Sequence, residues 1–159
     1  MLLPVNNILC PTDFSDCSYD ALKTAIELCS HFGATLCLLH VVPAIPRPEL
    51  PQLSGHNLER YEPGLAEYED ALFDRMQRML HVEVRERVPQ EIKSRVLVGK
   101  GDAANEIVRI AEGERVSLIV IATHGMKGWR QIACGSVAER VVRQSSCPVL
   151  TVRSPREKC

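Results

Sequence analysis

The residues best placed to do chemistry lie in one long connection, ATHGMKGWRQIACGSVAE, residues 122–139. It follows the apolar run SLIVI, and the next helical pattern starts near Ser136. A buried strand usually reaches its next helix in about 2–6 residues, so this connection is long. Gly125 has no Cβ and admits a ligand close to the backbone. Gly135 stands directly before Ser136, where the first amides of a helix lack intrahelical acceptors. An anion there gains the amides of Ser136 and Val137, the Ser136 hydroxyl and the favourable end of the helix dipole. Lys127 and Arg130 are placed to close over phosphates from the loop. A second reading competes: Ser136-Val137-Ala138-Glu139 fits S-x-x-E, a capping box in which Ser136 and Glu139 satisfy each other's amides.

Asp13, in CPTDFSD, is the other candidate. Its carboxylate suits ribose hydroxyls, and equally a turn among Thr12, Ser15 and Asp16. His40 lies in an apolar run and reads as a satisfied core histidine, while His124 beside Gly125 reads as orienting the loop. No nucleophile stands with a base, and no metal-ligand spacing occurs. The chain therefore reads as a binding protein. Gly99-Lys100-Gly101-Asp102-Ala103-Ala104 matches G-x-G-x-x-A, but no carboxylate follows about 20 residues later to hold a ribose. Gly99 and Gly101 read as turn residues, and neither a P-loop nor a G-x-S-x-G elbow occurs.

The elements that must position these residues alternate. Strands are expected at about 5–10, 34–42, 94–98, 117–122 and 147–153, each followed by a helix except the last. Ser15 or Asp16 caps the first helix and Gly33 ends it. Four prolines, Pro43, Pro46, Pro48 and Pro51, make an extended excursion at about 43–63. A helix at about 64–87 follows, with Leu65, Tyr68, Leu72, Met76, Met79, Leu80 and Val84 as its apolar stripe. Asp102 caps the third helix, and the last helix turns Val137, Val141 and Val142 inward. This alternation predicts an α/β fold, a parallel sheet with helices on both faces. Ligands then bind beyond the carboxyl ends of the strands, where strand order reverses.

Bulk properties limit the function classes. The chain has 159 residues, enough for one domain over 1–159 that needs no metal or disulfide staple. Its net charge of -1, with scattered basic residues, argues against nucleic acid or anionic membrane as partner. No apolar stretch is long enough to span a bilayer, and the start lacks a basic n-region, so the cytoplasm is expected. The seven cysteines are odd in number and form no C-x-x-C pair. Cys10, Cys29 and Cys37 read as core side chains, Cys134 and Cys159 as accessible ones.

Together ILCPTDFS, LLHVV, IVIATHG, GSVAERVV and CPVLTVR resemble the universal stress protein family over nearly the whole chain. The family's nucleotide signature is G-x-x-G-x9-G-[ST]. Gly125, nine residues and Gly135-Ser136 match it, while Ala122 replaces the first glycine. The resemblance implies a doubly wound, flavodoxin-like (Rossmann-like), mainly parallel five-stranded sheet of order 3-2-1-4-5. It implies a stress-response regulator binding ATP, ADP or AMP, with Mg²⁺. Pro11, Thr12 and Asp13 would border adenine and ribose, and the Val41 backbone would meet the adenine. Ala122 and Gly125 would approach ribose and phosphate, and Gly135, Ser136 and Val137 would hold the phosphates. It further implies a homodimer pairing the last strands, about Val149–Val152. The alternatives are a slow ATPase or another ATP-using enzyme, and a nucleotide-free dimeric interaction module.

Overall fold

The computed structural model describes residues 4–44, 58–123 and 136–154. Among the described residues nine elements alternate: β1 Asn7–Pro11, α1 Asp16–Phe32, β2 Thr35–Val42, α2 Leu58–Arg87, β3 Ser94–Lys100, α3 Ala103–Gly113, β4 Leu118–Ala122, α4 Ser136–Gln144 and β5 Val149–Val152. The strands form a five-stranded parallel sheet in the order β3-β2-β1-β4-β5, as expected. Strand order reverses between β1 and β4.

Continuous apolar strands are what a sheet covered on both faces requires. Alternate residues serve opposite layers. Ile8, Cys10, Leu36, Leu38 and Val120 pack with Ala21, Leu22, Ala25 and Cys29 of α1 and Leu80 of α2. Leu9, Cys37, Leu39, Ile119 and Ile121 pack with Ala104, Ile107 and Ala111 of α3 and with Ala138 and Val141 of α4. The local signals set the helix ends. The Ser15 hydroxyl accepts from the Ser18 amide at the start of α1, and Gly33 ends the helix in the left-handed region. Asp102 caps α3 by accepting from the Asn105 amide at 3.1 Å.

Four expectations need correction. The long helix starts at Leu58 rather than near residue 64, so its backbone stays helical through Pro63 and Gly64. Sheet packing further along α2 outweighs the weak local propensity of those two residues. The rest of the Pro-rich excursion, 45–57, lies outside the described residues. Tyr68 (60% exposed) and Met79 point to solvent, while Leu72, Met76, Leu80 and Val84 face inward. In α4, Ala138 and Val141 are buried, whereas Val142 is 50% exposed and Val137 is exposed too. At about 100° per residue, Val137 and Val142 fall on opposite flanks of the buried stripe. Finally, β3 runs two residues beyond 98, so Gly99 is a strand residue rather than a turn residue. A Cβ there would lie 3.0 Å from Ile110 Cδ1 and 3.4 Å from Val41 Cγ2, so its role is close helix–strand packing.

Candidate functional site

The two central strands part at the point where strand order reverses. The β1–β4 ladder holds only Ile8 to Leu118 and Leu9 to Ile119, although β1 continues to Pro11 and β4 to Ala122. Beyond the ladder each strand bonds to its outer neighbour. The Thr12 amide donates to the Leu39 carbonyl at 2.8 Å, and the Thr123 amide donates to the Val152 carbonyl at 2.9 Å. The two central strand ends are thus held from outside, with Pro11, Thr12 and Asp13 on one rim and Ala122 on the other.

The first rim is tightly bonded to itself. Thr12 is only 7% exposed. Its hydroxyl accepts from the Phe14 amide at 3.0 Å and lies 3.0 Å from the Ser18 hydroxyl. Ser18 uses its own proton toward the Ser15 carbonyl at 2.7 Å, so Thr12 is the donor in that pair. Asp13 Oδ1 accepts from both the amide and the hydroxyl of Ser15, which fixes the plane of the carboxylate. Phe14 is held at φ 62, a left-handed conformation that costs a bulky residue about 1–3 kcal/mol. The turn reading of Asp13 and its candidate role as an acceptor are therefore compatible. The turn is what aims the carboxylate.

The end of β2 forms the floor beside this rim. Val41 lies level with Gly99 across the β2–β3 ladder. His40 is half-buried, and its Nδ1 lies 2.8 Å from the Thr12 carbonyl oxygen. The expectation of a satisfied histidine holds, but its partner belongs to the candidate site rather than to the core.

On the far side, parallel β4 and β5 force α4 to run back along the sheet, so its N-terminus lies at the carboxyl ends of the strands. Ser136 and Val137 are exposed at that end. Ser136 is the first residue of α4. The Glu139 carboxylate is directed along the helix to Arg143 at 2.7 Å. In a capping box Glu139 would reach back to the start of the helix instead. Arg140 forms a bidentate pair with Asp102, at 2.8 Å on both oxygens, and also donates to Asn105 Oδ1 at 3.1 Å. This fork ties α4 to the turn after β3. Lys127, Arg130, His124, Gly125, Cys134 and Gly135 lie outside the described residues, as does Cys159.

The electrostatics separate reactive from inert groups. Burial pushes the Cys10 and Cys29 thiols from 9.0 up to about 12, and burial also raises Cys37 despite the Arg95 guanidinium beside it. These buried cysteines stay as thiols at neutral pH and are not nucleophiles. The Arg140 fork, with the Asn105 amide, holds Asp102 below its ordinary 3.8. Among the described residues, no group of His, Cys, Asp and Glu could hold a metal ion, and no helix is long and apolar enough to cross a membrane.

Sequence reading missed two contributors, His40 and the Asp102–Arg140 fork. The fork joins residues 38 apart, and no local pattern reports such a pair. A polar ring near the carboxyl end of a buried strand was the available signal for His40.

Comparison with known proteins extends this geometry. The profile of the universal stress protein family matches residues 4–153. Universal stress protein MJ0531 of Methanocaldococcus jannaschii is 34% identical over 158 residues, covering 95% of this chain and 84% of the relative. The solved structure of hypothetical protein MJ0577, from the same organism, superposes with a TM-score of 0.77 at 27% identity, covering 96% of this chain and 98% of that one. Two more distant structures share the fold. One is a universal stress protein in complex with cAMP (TM-score 0.60, 20% identity, 94% and 98% coverage). The other is a family protein from Arabidopsis thaliana with AMP bound (TM-score 0.60, 16% identity, 96% and 94% coverage). From its sequence motifs, its sheet order and these matches, the chain belongs to the universal stress protein family.

Proposed function

We propose that this chain is a single-domain regulatory protein that binds an adenine nucleotide at the carboxyl ends of β1, β2 and β4. The observation that carries the reading is the parting of β1 and β4 beyond their two paired positions. Asp13, its carboxylate held by Ser15, follows β1 on one side of the strand reversal, and α4 starts at the same end of the sheet on the other. In this reading Asp13 accepts from ribose hydroxyls, with Pro11 and Thr12 beside it, and the Val41 backbone meets the adenine. Ala122 and Gly125 lie along ribose and phosphate. Gly135, with the amides of Ser136 and Val137, takes the phosphates, where unpaired donors and the helix dipole favour an anion. Glu139 is neutralised by Arg143, so less negative charge faces that anion. The AMP and cAMP complexes of related folds support an adenine nucleotide as the ligand class. ATP with Mg²⁺ is the nucleotide proposed here. Pairing of β5 edges (Val149–Val152) in a cytoplasmic homodimer completes the reading.

Calorimetric titration with Mg-ATP tests it. Saturable binding is expected, lost when Gly135 is replaced by a bulky residue while the melting temperature is kept. No heat at millimolar ATP with folded protein would sink the claim. Steady ADP release that disappears in Lys127→Ala would turn the protein into a catalyst instead.

A further inference from the structure

The geometry points to His40 as a positioning residue that sets how Asp13 is presented, and thereby how strongly the protein prefers a ligand with ribose hydroxyls. This inference rests on the nucleotide reading above.

His40 is the third-last residue of β2, one position before Val41. Its neighbour Leu39 accepts the Thr12 amide at 2.8 Å, while the His40 ring reaches the Thr12 carbonyl at 2.8 Å. Both backbone polar groups of Thr12 are therefore bound to β2, one by its backbone and one by a side chain. A carbonyl oxygen can only accept, so His40 Nδ1 carries a hydrogen and donates it. The same ring lies 4.8 Å from the Phe14 ring, tilted by 40°. Phe14 is the residue held at positive φ. His40 thus grips the two residues on either side of Asp13, through a hydrogen bond on Thr12 and ring packing on Phe14. A strained backbone persists only where its surroundings over-determine it, and His40 supplies two of those restraints. The Thr12 hydroxyl and the Ser15 bonds hold the turn from within. His40 connects the turn's backbone by a side chain to the strand whose end is proposed to carry the adenine.

A positioning role has a consequence that a purely structural histidine would not share. If His40 acts through Asp13, its loss weakens ribose recognition and spares the rest of the ligand. Asn places its side-chain nitrogen about where Nδ1 lies, Gln places it nearer the Nε2 position, and Leu offers no donor. The test measures calorimetric affinities of wild type, His40→Asn, His40→Gln and His40→Leu for ATP and for 2′,3′-dideoxy-ATP. Alongside it, ring ¹⁵N shifts and the amide signals of residues 13–15 are read in the nucleotide-free proteins. The expected result is a hydrogen-bearing Nδ1 in wild type and shifted amides in His40→Leu. ATP affinity should fall about tenfold in His40→Leu and His40→Gln, the size of one lost hydrogen bond, and recover in His40→Asn. Dideoxy-ATP should bind all four proteins alike. Equal losses for both ligands, or ATP binding unchanged in His40→Leu, would overturn the inference. So would an Nδ1 without hydrogen. Wild-type protein that binds neither ligand overturns the underlying reading instead, and the ring and amide signals then still decide the contact. Should His40→Leu fail to fold, the Asn–Gln comparison carries the same decision.

Discussion

The two rims of the crevice are built on different principles. The β1 rim is bonded largely within itself: within residues 12–18, Thr12, Asp13, Ser15 and Ser18 bond to one another and the cap of α1 belongs to the same network, while Leu39 and His40 add two bonds from β2. The α4 rim is remote. Its position depends on Ala138 and Val141 packed under the sheet and on the Arg140 fork to Asp102. A local network arrives already shaped, because its partners are neighbours in the chain. A remote one is only as well placed as the layer beneath it. A ligand bridging the rims would therefore meet a carboxylate held by Ser15 on one side and a helix positioned by packing on the other.

Four perturbations probe this contrast, from the largest effect to the smallest. Val141→Ala should destabilise the protein by about 2 kcal/mol, from lost burial and the cavity left behind. Amide exchange should accelerate first in α4. A cost near zero by urea denaturation would show that α4 does not depend on packing. Thr12→Val should cost about 1–2 kcal/mol, because the Phe14 amide and the Ser18 hydroxyl each lose a partner in a buried place. The damage should stay within the β1 rim, read as chemical-shift changes confined to residues near 12–18. Spread into α4 would dissolve the distinction between the rims. Ser136→Ala should change stability by less than about 0.5 kcal/mol, since the side chain is exposed, while ATP affinity falls several-fold. Unchanged affinity would remove Ser136 from the phosphate site.

The smallest effect concerns pH. Asp102 is held below 3.8 chiefly by Arg140. A folded value below the unfolded one gives stability that is present above pH 3.8 and lost as pH falls through the folded value. In Arg140→Gln the Asp102 carboxyl should titrate closer to 3.8, followed by its ¹³C shift, with little change in melting at neutral pH. A carboxyl that keeps its lowered value in the variant would mean that the Asn105 and Ala104 amides account for it.

How legible all this was in the chain depends on the range of the interactions. Alternating apolar runs and helical stripes specify the α/β class, since burial on two sheet faces demands that periodicity. Ser15, Gly33 and Asp102 mark helix ends because capping involves atoms only a few residues apart. Asp13 and the start of α4 were legible as candidates for the same reason. Side-chain direction was less so. Tyr68, Met79, Val137 and Val142 are apolar, yet a stripe does not reveal how wide a face its neighbours cover. The role of Gly99 emerged only with Ile110 and Val41 packed against it. His40 needed β1 and β2 side by side before its ring could find the Thr12 carbonyl, 28 residues away along the chain. Sequence by itself determined the elements, their order and the residue types at the crevice. Tertiary structure alone decided which strand ends part, which helix face is covered, and which distant side chains grip the turn, because these depend on partners that only the folded sheet brings within bonding distance.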